Sequence, residues 1–138
     1  MKSLPDTPKV SIITMTYNDC AHLEKCVTQI LKQDYENIEY IIVDGGSSDG
    51  THEIIQKAAQ QLGDKLKWVS EPDEGLYDAL NKGIRMATGA IVGLMCDEFA
   101  DAHVLSDMVR QMQRDGTDGV HGDIDYMAVG KVIRKWRM

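Results

Sequence analysis

Cysteine, histidine and long apolar runs are scarce or scattered in this chain, and each absence removes a class of protein. The three cysteines, Cys20, Cys26 and Cys96, are odd in number and lack zinc-site spacing. That excludes a disulfide framework and a structural zinc site, and it fits a reducing cytoplasm. Cys26 falls on an apolar helix stripe and reads as core packing. His22, His52, His103 and His121 form no metal-ligand pair. The first three read as surface helix residues, and His121 lies in a late strand from which it can point into a site. The longest apolar run, Ala90 to Cys96, is far too short for a membrane span. The lead-in from Met1 to Lys9 is polar, with two prolines, and has no signal-peptide pattern. Positive charge is also short: 15 Lys and Arg against 22 Asp and Glu give a net charge of −7. Nucleic acid is therefore not expected as a partner. There is no repeat, low-complexity tract or linker.

What is present is an ordinary globular composition, 43% hydrophobic and 27% charged, in 138 residues that suffice for one domain with a proper core. The stretch from Ile41 to Thr51 organises the rest. Ile41, Ile42 and Val43 suit a strand covered on both faces. Asp44 ends that strand, Gly45 and Gly46 allow a sharp turn, and Ser47, Ser48 and Asp49 can cap a following helix. In open α/β sheets ligands bind beyond the carboxyl ends of strands, which is where Asp44 stands.

Read in order, Val10 to Met15 is a first strand, and Asn18 or Asp19 caps a helix from about Cys20 to Gln33. Leu23, Cys26, Val27, Ile30 and Leu31 form that helix's apolar stripe. Ile38 to Val43 is the second strand. Helix two, Thr51 to Leu62, buries Ile54, Ile55, Ala58, Ala59 and Leu62 and stops at Gly63. Leu66 to Ser70 is a short strand near the surface. Helix three runs from about Leu76 to Ala87 with Leu76, Leu80, Ile84 and Ala87 inward, and Gly83 within it implies close packing. Ala90 to Cys96, the most apolar strand, is expected at the centre of the sheet. Asp101 caps helix four, which turns Val104, Leu105, Met108, Val109 and Met112 inward. Gly119 to Tyr126 and Lys131 to Trp136 make a hairpin that turns at Val129 and Gly130. The alternation predicts an α/β fold: a mostly parallel sheet with helices on both faces and a C-terminal β-hairpin.

Four turns should gather at one edge of such a sheet, carrying Thr16, Tyr17 and Asn18; Asp44 to Asp49; Asp73 to Asp78; and Asp97 with Glu98. Clustered carboxylates repel one another and raise their pKa values unless a cation or an N–H donor relieves them. Asp97 and Glu98 can hold Mg²⁺ or Mn²⁺ while a diphosphate supplies further oxygens. Asp44 can accept from the N–H of a nucleobase while Tyr17 stacks on its face. The plain alternative is a set of helix caps and solvated loops, and Asp49 and Asp101 fit it. The basic end, Lys131, Arg134, Lys135 and Arg137, reads as a solvated strand face that can also meet phosphate or an anionic lipid head group. Two other α/β classes fit poorly. A dinucleotide-binding dehydrogenase needs a glycine-rich turn after strand one, where Thr16, Tyr17 and Asn18 stand, and a phosphoacceptor receiver would resemble an acidic pair there.

Three stretches together resemble family 2 glycosyltransferases of the bacterial surface-polysaccharide type. They are Val10-Ser-Ile-Ile-Thr-Met-Thr-Tyr-Asn18, Ile41-Ile-Val-Asp-Gly-Gly-Ser-Ser-Asp-Gly-Thr51 and Ser70-Glu-Pro-Asp-Glu-Gly-Leu-Tyr-Asp-Ala-Leu-Asn-Lys-Gly83. The resemblance runs from Lys9 to Arg137. It implies a GT-A fold over residues 1–138 and a nucleotide-diphospho-sugar donor, often UDP-linked. It also implies a saccharide or lipid-linked acceptor and inversion at the anomeric carbon, in polysaccharide or glycolipid synthesis in the cytoplasm or at the inner face of the membrane. Carried onto this chain, Thr16, Tyr17 and Asn18 line the nucleoside, Asp44 contacts the base, and Asp73, Asp78 and Asn81 border the donor. Asp97 and Glu98 stand for the metal acids, in Leu94-Met-Cys-Asp-Glu98 where the family reads Leu-Asn-Ser-Asp-Asp. No residue matches the general base, which in the family lies well beyond the metal acids. The expectation is therefore a donor-binding part, C-terminally truncated relative to the family and able to self-associate. The alternative is a non-catalytic nucleotide-sugar binding module that works with a partner.

Overall fold

The computed structural model describes residues 7–95, 99, 101–116, 119, 124–128 and 131–136. Four strands, β1 (Val10–Thr16), β2 (Ile38–Asp44), β3 (Leu66–Ser70) and β4 (Ile91–Leu94), form a parallel sheet in the order β3-β2-β1-β4. The connections are α1 (Cys20–Lys32), α2 (Thr51–Leu62) with a 3-10 turn at Gly63–Lys65, and α3 (Leu76–Met86). Helix α4 (Val104–Asp115) follows β4. Strands β5 (Ile124–Ala128) and β6 (Lys131–Trp136) pair antiparallel, and the turn expected at Val129 and Gly130 lies outside the described residues.

Alternation along β1 and β2 sends side chains into two layers. Val10, Ile12, Ile38, Tyr40 and Ile42 join Leu23, Cys26, Val27 and Ile30 of α1, Ile55 and Ala58 of α2, and Leu105 and Val109 of α4. On the other face Ile13, Ile41 and Val43 pack under α3 through Ala79, Leu80 and Met86. Every residue of β2 is buried, as the apolar run from Tyr40 to Val43 suggests for a strand covered on both sides.

Two sequence expectations need correction. The segment containing β4 is the most apolar, yet among the described strands β4 lies at the edge beside β1, and Val92 and Leu94 are about half exposed. Length of buried pairing, not apolar content, puts β1 and β2 in the middle. Helix α3 is also rotated from its expected stripe. Leu76 and Ile84 are exposed, while Ala79 and Gly83 are its buried residues. The reason is close approach: a Cβ on Gly83 would lie 2.6 Å from Ile13 Cγ2. Small residues let the helix sit low on β1, which turns Leu76 and Ile84 outward while Leu80 and Ala87 of the expected stripe still pack against the core. Gly83→Ala should lower stability by up to about 2 kcal/mol, overpacking of about 1–3 kcal/mol being set against a helix-propensity gain of about 1 kcal/mol. Urea unfolding would measure this, and a variant at least as stable as the parent would show that α3 can shift off Ile13.

Near the end of α1, Gln33 Nε2 donates to the Asp101 carbonyl (2.7 Å) and its Oε1 accepts from the Leu105 N–H (3.2 Å). His103 Nδ1 lies 2.5 Å from Asp34 Oδ2, and that carboxylate holds the imidazole pKa above its usual value. These bonds fix the entry to α4. Asp101 accepts from the His103 N–H (2.8 Å), one residue before the helix, so Gln33, not Asp101, reaches a first-turn amide.

Candidate functional site

The carboxyl ends of β1, β2 and β3 meet at one edge, and the turns beyond them are tied together. Gly45 N–H donates to the Thr16 carbonyl (3.0 Å) and Glu71 N–H to the Asp44 carbonyl (3.0 Å). Asn18 takes a left-handed φ of 49°, a conformation asparagine tolerates better than most residues. Its N–H donates to Ser47 Oγ (2.7 Å) and its Oδ1 accepts from the Ser48 N–H (2.8 Å). Asn18 therefore joins the first two turns. Asp49 does so again: Oδ2 accepts from the Cys20 N–H (3.2 Å), and Oδ1 accepts from the Thr51 N–H (3.0 Å) and hydroxyl (2.5 Å). Asp19 and Gly50 occupy the N-cap positions of α1 and α2 without side-chain caps. The cap expected locally from Asn18 or Asp19 is thus supplied across the turns by Asp49.

Asp44 is 0% exposed. Its Oδ1 accepts from the Ser47 hydroxyl (2.5 Å), and its Oδ2 accepts from the Ser47 N–H (3.0 Å) and the Ser70 hydroxyl (2.7 Å). His52 Nε2 lies 2.9 Å from Ser70 Oγ and 3.4 Å from Asp44 Oδ2, and its ring tilts against Trp68 at 6.5 Å. Burial pushes the Asp44 pKa up, but the hydrogen bonds from Ser47 and Ser70 outweigh it and hold the carboxyl below its ordinary value. Asp49 is lowered as well, first by the Thr51 hydroxyl. Asp44 and Asp49 are thus relieved by chain donors, not raised by mutual repulsion.

The remaining site residues divide. Tyr17 is 64% exposed. A Cβ built on Gly45 would lie 3.1 Å from Asp73 Oδ2 and 3.2 Å from Tyr17 Cδ1, so that ring and that carboxylate converge over Gly45. Thr16 is buried, and its Oγ1 has no hydrogen-bond partner among the described residues. Asp78 Oδ2 accepts from the Glu74 N–H (2.9 Å) and lies 3.8 Å from Lys82 Nζ. Lys82 also holds Glu71 (3.1 Å) and the Pro72 carbonyl (3.3 Å), which shapes the loop bearing Asp73. Asn81 is exposed on α3. Asp97, Glu98 and His121 lie outside the described residues. Among the described residues no group of three or more His, Cys, Asp and Glu stands together as a metal site would need. Sequence reasoning missed Ser47, Ser70 and His52 as partners of Asp44, because such pairing across turns leaves no local pattern.

The sequence profile described as "Glycosyl transferase family 2" matches residues 11–138. The chain belongs to glycosyl transferase family 2. It is 34% identical over 120 residues to a "PGL/p-HBAD biosynthesis glycosyltransferase" of Mycobacterium bovis, covering 85% of this chain and 47% of that protein. It is 31% identical over 118 residues to an uncharacterised glycosyltransferase of Nostoc sp., covering 85% and 37%. The chain thus spans less than half the length of these relatives. Among solved structures, the mannosyltransferase PcManGT from Pyrobaculum calidifontis, in complex with GDP-Man and Mn²⁺, superposes with a TM-score of 0.70 at 29% identity, covering 91% of this chain and 38% of that one. S. aureus TarS in complex with UDP-GlcNAc gives a TM-score of 0.70 at 24% identity, covering 80% and 32%. The parallel four-stranded core of this family member is that of GT-A glycosyltransferases.

Proposed function

We propose that this family 2 domain binds the nucleotide-diphospho-sugar donor of an inverting glycosyltransferase at the edge where Thr16, Tyr17, Gly45 and Asp73 meet. The convergence of the Tyr17 ring and the Asp73 carboxylate over Gly45 carries the reading. It offers an exposed stacking face beside an acceptor, with no side chain on Gly45 to block a base. The buried Thr16 hydroxyl supports it, since a buried polar atom without a partner carries a cost that a ligand can remove. The GDP-Man and Mn²⁺ complex of PcManGT supports a nucleotide sugar and a divalent cation. UDP is the nucleotide that the family resemblance implies.

Asp97 and Glu98 are the acids proposed for Mg²⁺ or Mn²⁺, and the chemistry the ion supplies when bound is neutralisation of the departing diphosphate. The chain's own residues bind and orient: Tyr17 stacks, Asp73 and Asp78 border the donor with Asn81, and Asn18 and Asp44 hold the turns in place. Acceptor deprotonation needs a general base, to which no residue here is assigned. A second reading is a binding module that supplies donor to a partner. The acceptor class, saccharide or lipid-linked, is proposed from the resemblance together with the PGL/p-HBAD relative. A cytoplasmic place of action, with peripheral contact to the inner membrane face through the basic end, is likewise proposed. Among the described residues no helix is long and apolar enough to cross a membrane.

Calorimetric titration of UDP and GDP, each with and without Mn²⁺, tests the donor site. Selective binding tightened by metal is the expected result. Binding indifferent to Mn²⁺ would remove the metal role from Asp97 and Glu98. No binding of either nucleotide would overturn the donor-site reading, and a transfer assay on the same preparation separates enzyme from binding module.

A further inference from the structure

The sequence points to Asp44 as the carboxylate that touches the base, but both of its oxygens already accept hydrogen bonds within the chain. Asp44 is sealed from solvent with both oxygens engaged by Ser47 and Ser70. Both oxygens of Asp49 are taken by backbone and hydroxyl donors at the starts of α1 and α2. Asp78 Oδ2 is held by the Glu74 N–H and lies near Lys82. Asp73 differs from all three. Its Oδ1 accepts from the Gly75 N–H (3.1 Å), while its Oδ2 accepts no hydrogen bond among the described residues and stands over Gly45 beside the Tyr17 ring.

We infer that Asp73 selects the nucleobase, its Oδ2 accepting the ring N–H that uracil and guanine carry at the edge where cytosine and adenine present a bare ring nitrogen. This deepens the donor-site reading and rests on it. The Tyr17 ring supplies the stacking face and accepts any base. The Asp73 edge supplies the discrimination. An amino group of cytosine or adenine can donate one hydrogen to the carboxylate, but it brings the lone pair of the adjacent ring nitrogen against the same acceptor. The absence of a side chain at Gly45 leaves room for the base edge to approach, since even a methyl group there would crowd both partners at 3.1 and 3.2 Å.

Asp73→Asn is a sharp test because the Gly75 N–H fixes its orientation. The amide oxygen keeps that bond, so the amide nitrogen takes the place of Oδ2 and turns an acceptor into a donor. Affinities of UDP, GDP, CDP and ADP would be measured by calorimetry for the parent and for Asp73→Asn, with thermal melts to verify folding. The parent should prefer UDP or GDP over CDP and ADP. In Asp73→Asn the preferred nucleotide should weaken at least about tenfold, the scale of one hydrogen bond to a charged group. Its ratio to CDP should narrow by a similar factor. Tyr17→Ala should weaken all four nucleotides together and leave the ratios unchanged. Equal weakening of all four in Asp73→Asn, or unchanged affinities, would overturn the assignment while leaving the donor site intact. A parent that binds no nucleotide would overturn the donor-site reading and this assignment with it.

Discussion

Glu39→Ala should lower the stability of this domain by about 3 kcal/mol and its melting temperature by about 10 °C. Glu39 is a buried carboxylate near the start of β2, with its side chain only 3% exposed. Its Oε1 accepts from Ser11 Oγ (2.9 Å) and the Thr88 N–H (2.9 Å). Its Oε2 accepts from Thr88 Oγ1 (2.8 Å) and pairs with Lys67 (2.9 Å) and Lys9 (3.2 Å). Ser11 Oγ in turn accepts from the Gly89 N–H (2.9 Å), at a position where any Cβ would lie 2.6 Å from the Lys9 carbonyl oxygen. One side chain thus joins β1, β2, β3 and the segment between α3 and β4. Removing it strands the buried Ser11 hydroxyl and the Thr88 amide. The two lysines, each about 40% exposed, can turn to water, which keeps the cost toward the lower end for a broken buried pair. Burial pushes the Glu39 pKa up, but Lys67, Thr88 and Ser11 hold it well below the usual carboxylate range. A pKa depressed in the folded state means stability that is present at neutral pH and lost as pH falls below about 4.3, the ordinary glutamate value. Urea unfolding from pH 7 to pH 3 should therefore show a steep acid limb that flattens in Glu39→Gln. An unchanged limb, or Glu39→Ala within about 0.5 kcal/mol of the parent, would show that the cluster contributes little.

Glu39 was invisible in the sequence, whereas the strand that carries it was plain. Ile38 to Val43 reads as a buried strand because its apolar residues declare it, and Glu39 within it looks like an outward-facing charge. Only the pairing of β1 with β2, which sets Ser11 opposite Glu39, and the return of the chain at Thr88 show that this charge is enclosed. Periodicity records which positions can be buried, and long-range pairing decides which ones are. The same limit explains α3. Its 3.6-residue stripe through Leu76, Leu80 and Ile84 was legible, but the helix is rotated by the contact of Gly83 with Ile13, residues that no local pattern connects. Element order, the parallel sheet and the helices on both faces were legible, because each β-α step carries its own turn residues and a change of apolar period. The candidate site was legible as a place, since the sheet's carboxyl edge follows from the element order. Which carboxylate faces outward was not legible, because it depends on donors drawn from different turns.

Asp44→Ala tests that distinction, and the expected result is loss of stability, not of a ligand contact. The substitution would leave the Ser47 N–H, the Ser47 hydroxyl and the Ser70 hydroxyl without their buried acceptor. Orphaned donors of this kind cost about 1–3 kcal/mol each. The hydroxyls can turn toward other partners and the backbone amide cannot, so a net loss of about 3 kcal/mol is expected, about 10 °C in melting temperature. Asp44→Asn keeps one acceptor and should lose about half as much. The consequence for the site is indirect. Ser47 Oγ, which Asp44 orients, accepts from the Asn18 N–H beside Tyr17, and the Asp44 main chain holds Glu71 at the head of the loop that carries Asp73. At temperatures where Asp44→Ala is still folded, UDP affinity should fall only modestly and the preference among bases should persist, because Tyr17 and Asp73 remain. Melting scans and calorimetry on the same variant separate the two roles. A melting temperature like the parent's with nucleotide binding abolished would return Asp44 to the base contact. A large drop in melting temperature with base preference retained makes it the anchor from which the binding turns are hung.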